Sequence, residues 1–261
     1  MNLEGNTVLV TGGSSGIGLV LAAELLARKN TVIVTGRNEA ALAAARTKHP
    51  GLATYVCDVR DATAIAALRR SVIAEHPRLN VLINNAGIMR RLDLRALDVA
   101  DITGEIDTNL SGTIQMVMQF LPHLRAQPRA TIMNVTSGLA FVPFPIAPVY
   151  CATKAGLRSF TQSLRVQLKG SNITVVELAP PATETPMLGA FVEDMKGAPP
   201  RLPLSRLVDA TMKGLASDST EIRPGFSNLL KLLSRIAPDF ALKQMSKSAV
   251  RMLAGPAQLE R

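Results

Sequence analysis

Short apolar, β-branched runs alternate with longer helical patterns along this chain, and few folds accommodate that alternation. The runs begin at Thr7 and recur at Thr31–Thr35, Ala53–Cys57, Val81–Asn84, Thr131–Thr136 and Ile173–Leu178. Helical patterns fill the intervals near Glu39–Lys48, Ala62–Glu75, Ala100–Leu124 and Val149–Lys169. Strands without an alternating polar face are buried on both sides, which calls for a parallel sheet with helices on each face and right-handed crossovers. A doubly wound α/β sheet is therefore the expected fold. The 261 residues, 47% apolar and 19% charged, suffice for one such domain and are few for two. One domain over 1–261 is expected, with about 186–261 as a substrate loop and C-terminal helical extension.

Sheets of this kind bind ligands beyond the carboxyl ends of their strands. The first such end carries Thr11-Gly12-Gly13-Ser14-Ser15-Gly16-Ile17-Gly18, followed by a helical stretch from Leu19 to Arg28. Glycines let the backbone turn tightly and approach a pyrophosphate, and the helix behind them offers unpaired N–H groups and the positive end of its dipole. Asp58 follows the third run, Asn85-Ala86-Gly87 the fourth and Ser137 the fifth. Tyr150 and Lys154 are spaced i, i+4, so they lie on one face of a helix. A nearby ammonium favours the phenolate and lowers a tyrosine pKa from its usual value of about 10, which would make Tyr150 a usable general acid or base.

Taken in order, Thr11 to Gly18, Asp58-Val59, Asn84-Asn85-Ala86-Gly87, Asn109, Ser137, and Tyr150 with Lys154 resemble the motifs of the short-chain dehydrogenase/reductase family in its single-domain form. The resemblance runs from about Thr7 to about Pro186. The extended branch would place a glycine at Ser15, and the enoyl reductases put more residues between tyrosine and lysine; this chain does neither. The resemblance implies a Rossmann-type sheet and a nicotinamide cofactor. It further implies that Tyr150 exchanges a proton with the substrate oxygen and that Lys154 lowers the tyrosine pKa and holds the nicotinamide ribose. By the same resemblance Ser137 hydrogen-bonds the substrate oxygen, and Asn109 steadies a helix kink and a water relay to the lysine.

The same comparison distributes the cofactor contacts. Gly12, Ser14, Ser15, Gly16, Ile17 and Gly18 form the phosphate cradle, Asp58 and Val59 frame the adenine, and Asn85, Ala86 and Gly87 let backbone pass close to the cofactor. Gly36 stands where NAD-using relatives carry an aspartate, and Arg37 can grip a 2′-phosphate with a planar fork of donors, so NADP is expected. Ser14 could add a hydroxyl to that phosphate. After the sixth run most members have Pro-Gly, three residues and Thr; here Pro180-Pro181-Ala182-Thr183-Glu184-Thr185 puts proline in the glycine position, with Pro180, Thr183 and Thr185 still expected at the cofactor. The Pro-Pro pair together with Glu221-Ile222-Arg223-Pro224-Gly225 looks like a branch placed near lipoteichoic-acid D-alanylation oxidoreductases, from which no substrate follows.

Other classes recede on composition. No apolar run reaches the roughly 18 to 20 residues that span a bilayer, and the first residues carry no signal segment, so a cytoplasmic protein is expected. Cys57 and Cys151 read as reduced structural thiols, and three scattered histidines give no metal site. A net charge of +9 would suit a nucleic-acid binder, but aromatics are 3% and no recognition motif is present. Gly189–Pro203 is expected to act as a substrate lid. From Phe226 onward leucines and Ile236, Phe240, Leu242 and Met245 alternate with Lys231, Arg235, Lys243, Lys247 and Arg251. Packing of that stripe on the body or on a partner subunit is expected ahead of contact with an anionic membrane surface. The expected function is an NADP-dependent carbonyl or secondary-alcohol oxidoreductase acting on a small or medium, largely apolar molecule, assembled as a homodimer or homotetramer. A non-catalytic cofactor-binding scaffold and a membrane-surface interaction protein are the alternatives.

Overall fold

A computed structural model describes residues 1–95, 99–192 and 201–253. Its strands are β1 Thr7–Thr11, β2 Thr31–Gly36, β3 Leu52–Val56, β4 Leu79–Asn84, β5 Ala130–Val135, β6 Ile173–Leu178 and β7 Glu221–Ile222. They form one parallel sheet in the order β3-β2-β1-β4-β5-β6-β7. The register places Val10 beside Val34 on one side and Ile83 on the other, and Ile132 beside Leu82 and Val175. This is the expected doubly wound, Rossmann-type sheet. The strand order reverses between β1 and β4, which opens a crevice at their carboxyl ends.

Both faces are covered because both are apolar. Val8 and Val10 of β1 point to a core shared with α1 (Gly16–Ala27), Leu42 of α2 (Glu39–Lys48) and α8 (Leu204–Ala216). Leu9 of the same strand points the other way, to α3 (Ala62–Glu75), α5 (Gly112–Arg125) and Leu164 of α6 (Pro148–Gln167). Alternate side chains along each strand thus feed two separate cores. Phe120, Leu124 and Met116 of α5 are fully buried and form the bulk of the second.

The structure differs from the sequence expectation in two places. The helical pattern expected over Ala100–Leu124 is α4 (Val99–Ile106) and α5, joined by a π-helical turn at Asp107–Ser111. A π turn widens the backbone by one residue and carries Asn109 inward. A seventh strand was not expected, since two residues carry no periodicity. β7 pairs with β6 through Glu177 N to Thr220 O at 2.9 Å and Ala179 N to Ile222 O at 2.9 Å. Its Glu221 is surrounded by Arg223, Lys231 and Arg165, the last at 3.8 Å. Of the expected lid, α7 (Pro186–Val192) and residues 201–203 are described; 193–200 lie outside the described residues.

The C-terminal stripe forms two helices, α9 (Ser227–Ile236) and α10 (Pro238–Leu253). Leu230, Leu233, Ala241 and Met245 pack around Val142 and Phe141. The opposite face is exposed: Leu232, Ile236 (69% exposed) and Phe240 (54%) point to solvent. No helix among the described residues is long and apolar enough to cross a membrane.

Candidate active site

The turn from β1 into α1 is fixed by contacts too close for any side chain. Gly12 has φ +63°, and a Cβ on it would lie 2.9 Å from Ala86 Cα. A Cβ on Gly18 would lie 2.4 Å from Gly12 O and 2.5 Å from Asn85 Nδ2. The end of β4 is tied to this turn. The Thr11 hydroxyl accepts from Asn85 N and Ala86 N, each at 3.0 Å, and Asn85 Nδ2 donates to Thr11 O at 3.0 Å and Gly12 O at 3.1 Å. The Asn85 side chain therefore serves the turn and leaves ligand contact to its backbone. Gly18→Ala should cost roughly 1–3 kcal/mol, as forced overpacking does, and should weaken dinucleotide binding by parting α1 from the turn. Urea unfolding together with a cofactor titration checks both.

One cavity of about 570 Å³ runs along the carboxyl ends of the strands. Gly12, Ser14, Ser15, Gly16, Ile17 and Arg37 line it at one end, with Val59 beside them. Asn85, Ala86, Gly87, Ser137, Tyr150 and Lys154 lie further along, and Pro180, Thr183 and Thr185 face them. Three expected residues are not in the lining: Gly18 sits beneath the turn, Asn109 is fully buried, and Asp58 is held by Arg60, whose Nη2 lies 2.6 Å from Asp58 Oδ2. The hydrogen bond from Arg60 holds the Asp58 carboxyl below its usual range. The far end of the cavity is a wall that sequence reasoning did not identify. Met89, Leu139, Phe144, Leu188, Phe191, Phe226, Leu230 and Met245 make it apolar, with Gln244 beside them. The tail's packing face contributes Leu230 and Met245, so the C-terminal helices help build the site itself.

The polar cluster sits between these ends. Tyr150 and Lys154 stand one turn apart on α6, with Nζ 5.7 Å from the phenol ring centre. Lys154 Nζ donates to Val135 O at 2.8 Å. Ser137 caps the short 3-10 turn Gly138–Ala140, its Oγ accepting from Leu139 N at 3.1 Å, and it lines the same cavity as Tyr150. Asn109 Oδ1 accepts from Ile88 N at 2.8 Å, and its Nδ2 donates to Ile88 O at 2.8 Å and Thr153 Oγ1 at 3.2 Å. Burial dominates the electrostatics. It raises the Tyr150 phenol to about 12 and lowers the Lys154 ammonium to about 8. The phenol therefore stands above its usual value rather than below it as expected, because desolvation penalises the phenolate.

The nicotinamide dinucleotide that the resemblance implies can be tested against these residues. Ser15 is the N-cap of α1 but makes no side-chain capping bond, so the helix end opens to the cavity as a site for a diphosphate. Gly36 brings no carboxylate to this end of the cavity, Ser14 Oγ lies 3.3 Å from where a Cβ on it would be, and the exposed Arg37 lies beside it. The donors suit an anionic ligand and the residues fit the group.

Fold and site together are those of an oxidoreductase built on a dinucleotide-binding sheet. Comparison with known proteins makes the class specific: the short chain dehydrogenase family model matches residues 6–196, and the chain belongs to that family. It is 47% identical over 187 residues to the uncharacterized oxidoreductase DltE of Bacillus subtilis (strain 168), covering 71% of this chain and 74% of that one. Among solved structures it is similar to a short chain dehydrogenase from Burkholderia cenocepacia J2315 in complex with NADP. That likeness has a TM-score of 0.80 at 24% identity, over 94% of this chain and 99% of the other. It is similar also to a Burkholderia phymatum short chain dehydrogenase/reductase in complex with NAD, with a TM-score of 0.79 at 20% identity, over 90% and 95%.

Proposed function

We propose that this protein interconverts a ketone and a secondary alcohol on a small or medium apolar molecule, with NADP(H) as the redox partner. The carrying observation is a single cavity in which the glycine cradle, the Ser137–Tyr150–Lys154 cluster and the apolar wall are continuous. When bound, the reduced cofactor supplies the hydride. Ser137 hydrogen-bonds the substrate oxygen, and Tyr150 gives that oxygen its proton. A phenol raised to about 12 is protonated at neutral pH, so Tyr150 stands ready as a donor for reduction. Alcohol oxidation needs the phenolate, and its rate should rise with pH. Lys154, anchored on Val135 O, holds its ammonium beside the phenol, and the apolar wall keeps water from the reacting carbon. The two fold neighbours carry NADP and NAD respectively, so the preference for NADP rests on Arg37 and on glycine, in place of a carboxylate, at position 36. Turnover of a panel of apolar ketones with NADPH tests the reading; no turnover of any member, with NADPH bound, would leave the scaffold alternative.

The reading extends to assembly and location. Met118 on α5 and Val166 on α6 are exposed apolar residues on helices suited to closing a two-fold interface, and both cysteines are free and buried, as in a cytoplasmic protein. A homodimer or homotetramer is expected by light scattering at micromolar concentration, and a fully active monomer would refute it.

A further inference from the structure

Glu105 was not singled out by the sequence, where it reads as one charge on a helix. In the structure it is 0% exposed, one helical turn before Asn109. Its Oε1 accepts from Arg90 N at 3.2 Å, while Oε2 is buried with no hydrogen-bond partner. Asn109 grips Ile88 at both N and O. One helix face therefore holds the segment 88–90 at two points, and Met89 between them lines the cavity. Gly87 begins this segment, and a Cβ there would lie 3.2 Å from Asn109 Oδ1 and 3.5 Å from Lys154 Nζ. A carboxyl with an unpaired oxygen is an expensive group to bury for packing alone.

We propose that Glu105 is a positioning residue for the Tyr150–Lys154 pair: together with Asn109 it clamps the segment 88–90 against the cavity that the pair lines. Burial is the largest influence on each group here. It lifts Glu105 to about 7, opposed by the hydrogen bond from Arg90 N and by the charges of Arg90 and Lys154. In return the Glu105 charge pushes Lys154 up against burial, and pushes Tyr150 and Cys151 up along with it. Among the described residues the ionisable groups facing Glu105 are thus Arg90 from the clamped segment and Tyr150, Cys151 and Lys154 from α6. The sign is the same for both members of the pair. Removing the charge lowers both, so whatever apparent pKa the coupled pair shows must fall. Because Glu105 itself gains a proton below about pH 7, its support for the protonated pair is present above that pH and lost below it.

The catalytic consequence rests on the proposed reading of Tyr150; the charge coupling does not. Glu105→Gln keeps the shape and the acceptor for Arg90 N and removes only the charge. In protein labelled with 13C at glutamate Cδ, the NMR resonance that this variant lacks reports Glu105. Its midpoint is expected near neutrality, and should rise by roughly half a unit or more in Lys154→Met, since coupling between two sites is reciprocal. A midpoint in the ordinary carboxyl range, or one that Lys154→Met leaves in place, overturns the proposal. Should Lys154→Met fail to fold, Lys154→Gln serves the same comparison. In kinetics, Glu105→Gln should move the acid limb of kcat/KM for alcohol oxidation to lower pH, and Glu105→Leu, which also frees Arg90 N, should raise KM in addition. An unmoved limb overturns the proposed effect on the pair. If no alcohol or ketone is turned over, the proposed function fails, and the NMR titration still decides the coupling.

Discussion

Tyr150→Phe should bind the cofactor as tightly as the native protein and lose at least the ~10²-fold in kcat that a positioned general acid supplies. The substitution removes one oxygen from a side chain whose ring is already packed among Phe144, Ile146, Ala147 and Cys151, so the fold has little reason to respond. What disappears is the proton. Ser137 remains to hydrogen-bond the substrate oxygen. Lys154 keeps its hydrogen bond to Val135 O. Only one other tyrosine exists, Tyr55 on β3, and it packs edge-on against His76 in a different part of the molecule. Single-turnover measurements of ketone reduction in both proteins give the comparison. Wild-type kcat in Tyr150→Phe would remove the assigned donor. Lys154→Ala should differ in kind, weakening cofactor binding as well as turnover.

The second large effect is in cofactor choice. A charge-assisted hydrogen bond is worth roughly 1.5–3 kcal/mol, and about 1.4 kcal/mol is a factor of ten, so Arg37 should favour NADPH over NADH about ten- to hundredfold. Arg37 is exposed, which puts the expectation toward the lower end and makes it fade as added salt screens the site. Replacing Gly36 with aspartate and Arg37 with a neutral residue should weaken NADPH and improve NADH, less cleanly than charge alone implies, because the new side chain must displace the Ser14 hydroxyl. Paired titrations of the native protein settle the sign. Dissociation constants for NADH equal to or tighter than those for NADPH would refute the assignment.

The sheet was legible because buried parallel strands write themselves as continuous apolar runs, and six of the seven strands lie where those runs fall. The seventh was not, since Glu221-Ile222 owes its place to pairing with β6 and to the basic residues around Glu221. The turn at Asp107–Ser111 was legible only through the resemblance, which implied a helix kink at Asn109; the residues themselves continue a helical pattern, and the widening appears where Asn109 reaches the backbone of Ile88. Spacing gave Tyr150 and Lys154 a common helix face. It could not tell how far water is excluded there, and desolvation reverses the expected direction of the tyrosine's shift. Glu105 and the apolar wall share that difficulty, because a residue's distance from solvent is a property of the assembled layers and not of its neighbours in sequence.

Part of the apolar wall comes from a different stretch of the chain than the polar cluster. Ser137, just beyond β5, and Tyr150 and Lys154 on α6 lie within the residues that the family model matches, whereas Phe226, Leu230, Gln244 and Met245 lie beyond residue 196, where that match ends. A mutation in α9 or α10 can therefore reshape the apolar wall without touching Ser137, Tyr150, Lys154 or the glycine turn. Selection for a new substrate has a separate field to work in. Libraries confined to 226–245 should yield variants whose KM values scatter between ketones while cofactor affinity stays constant.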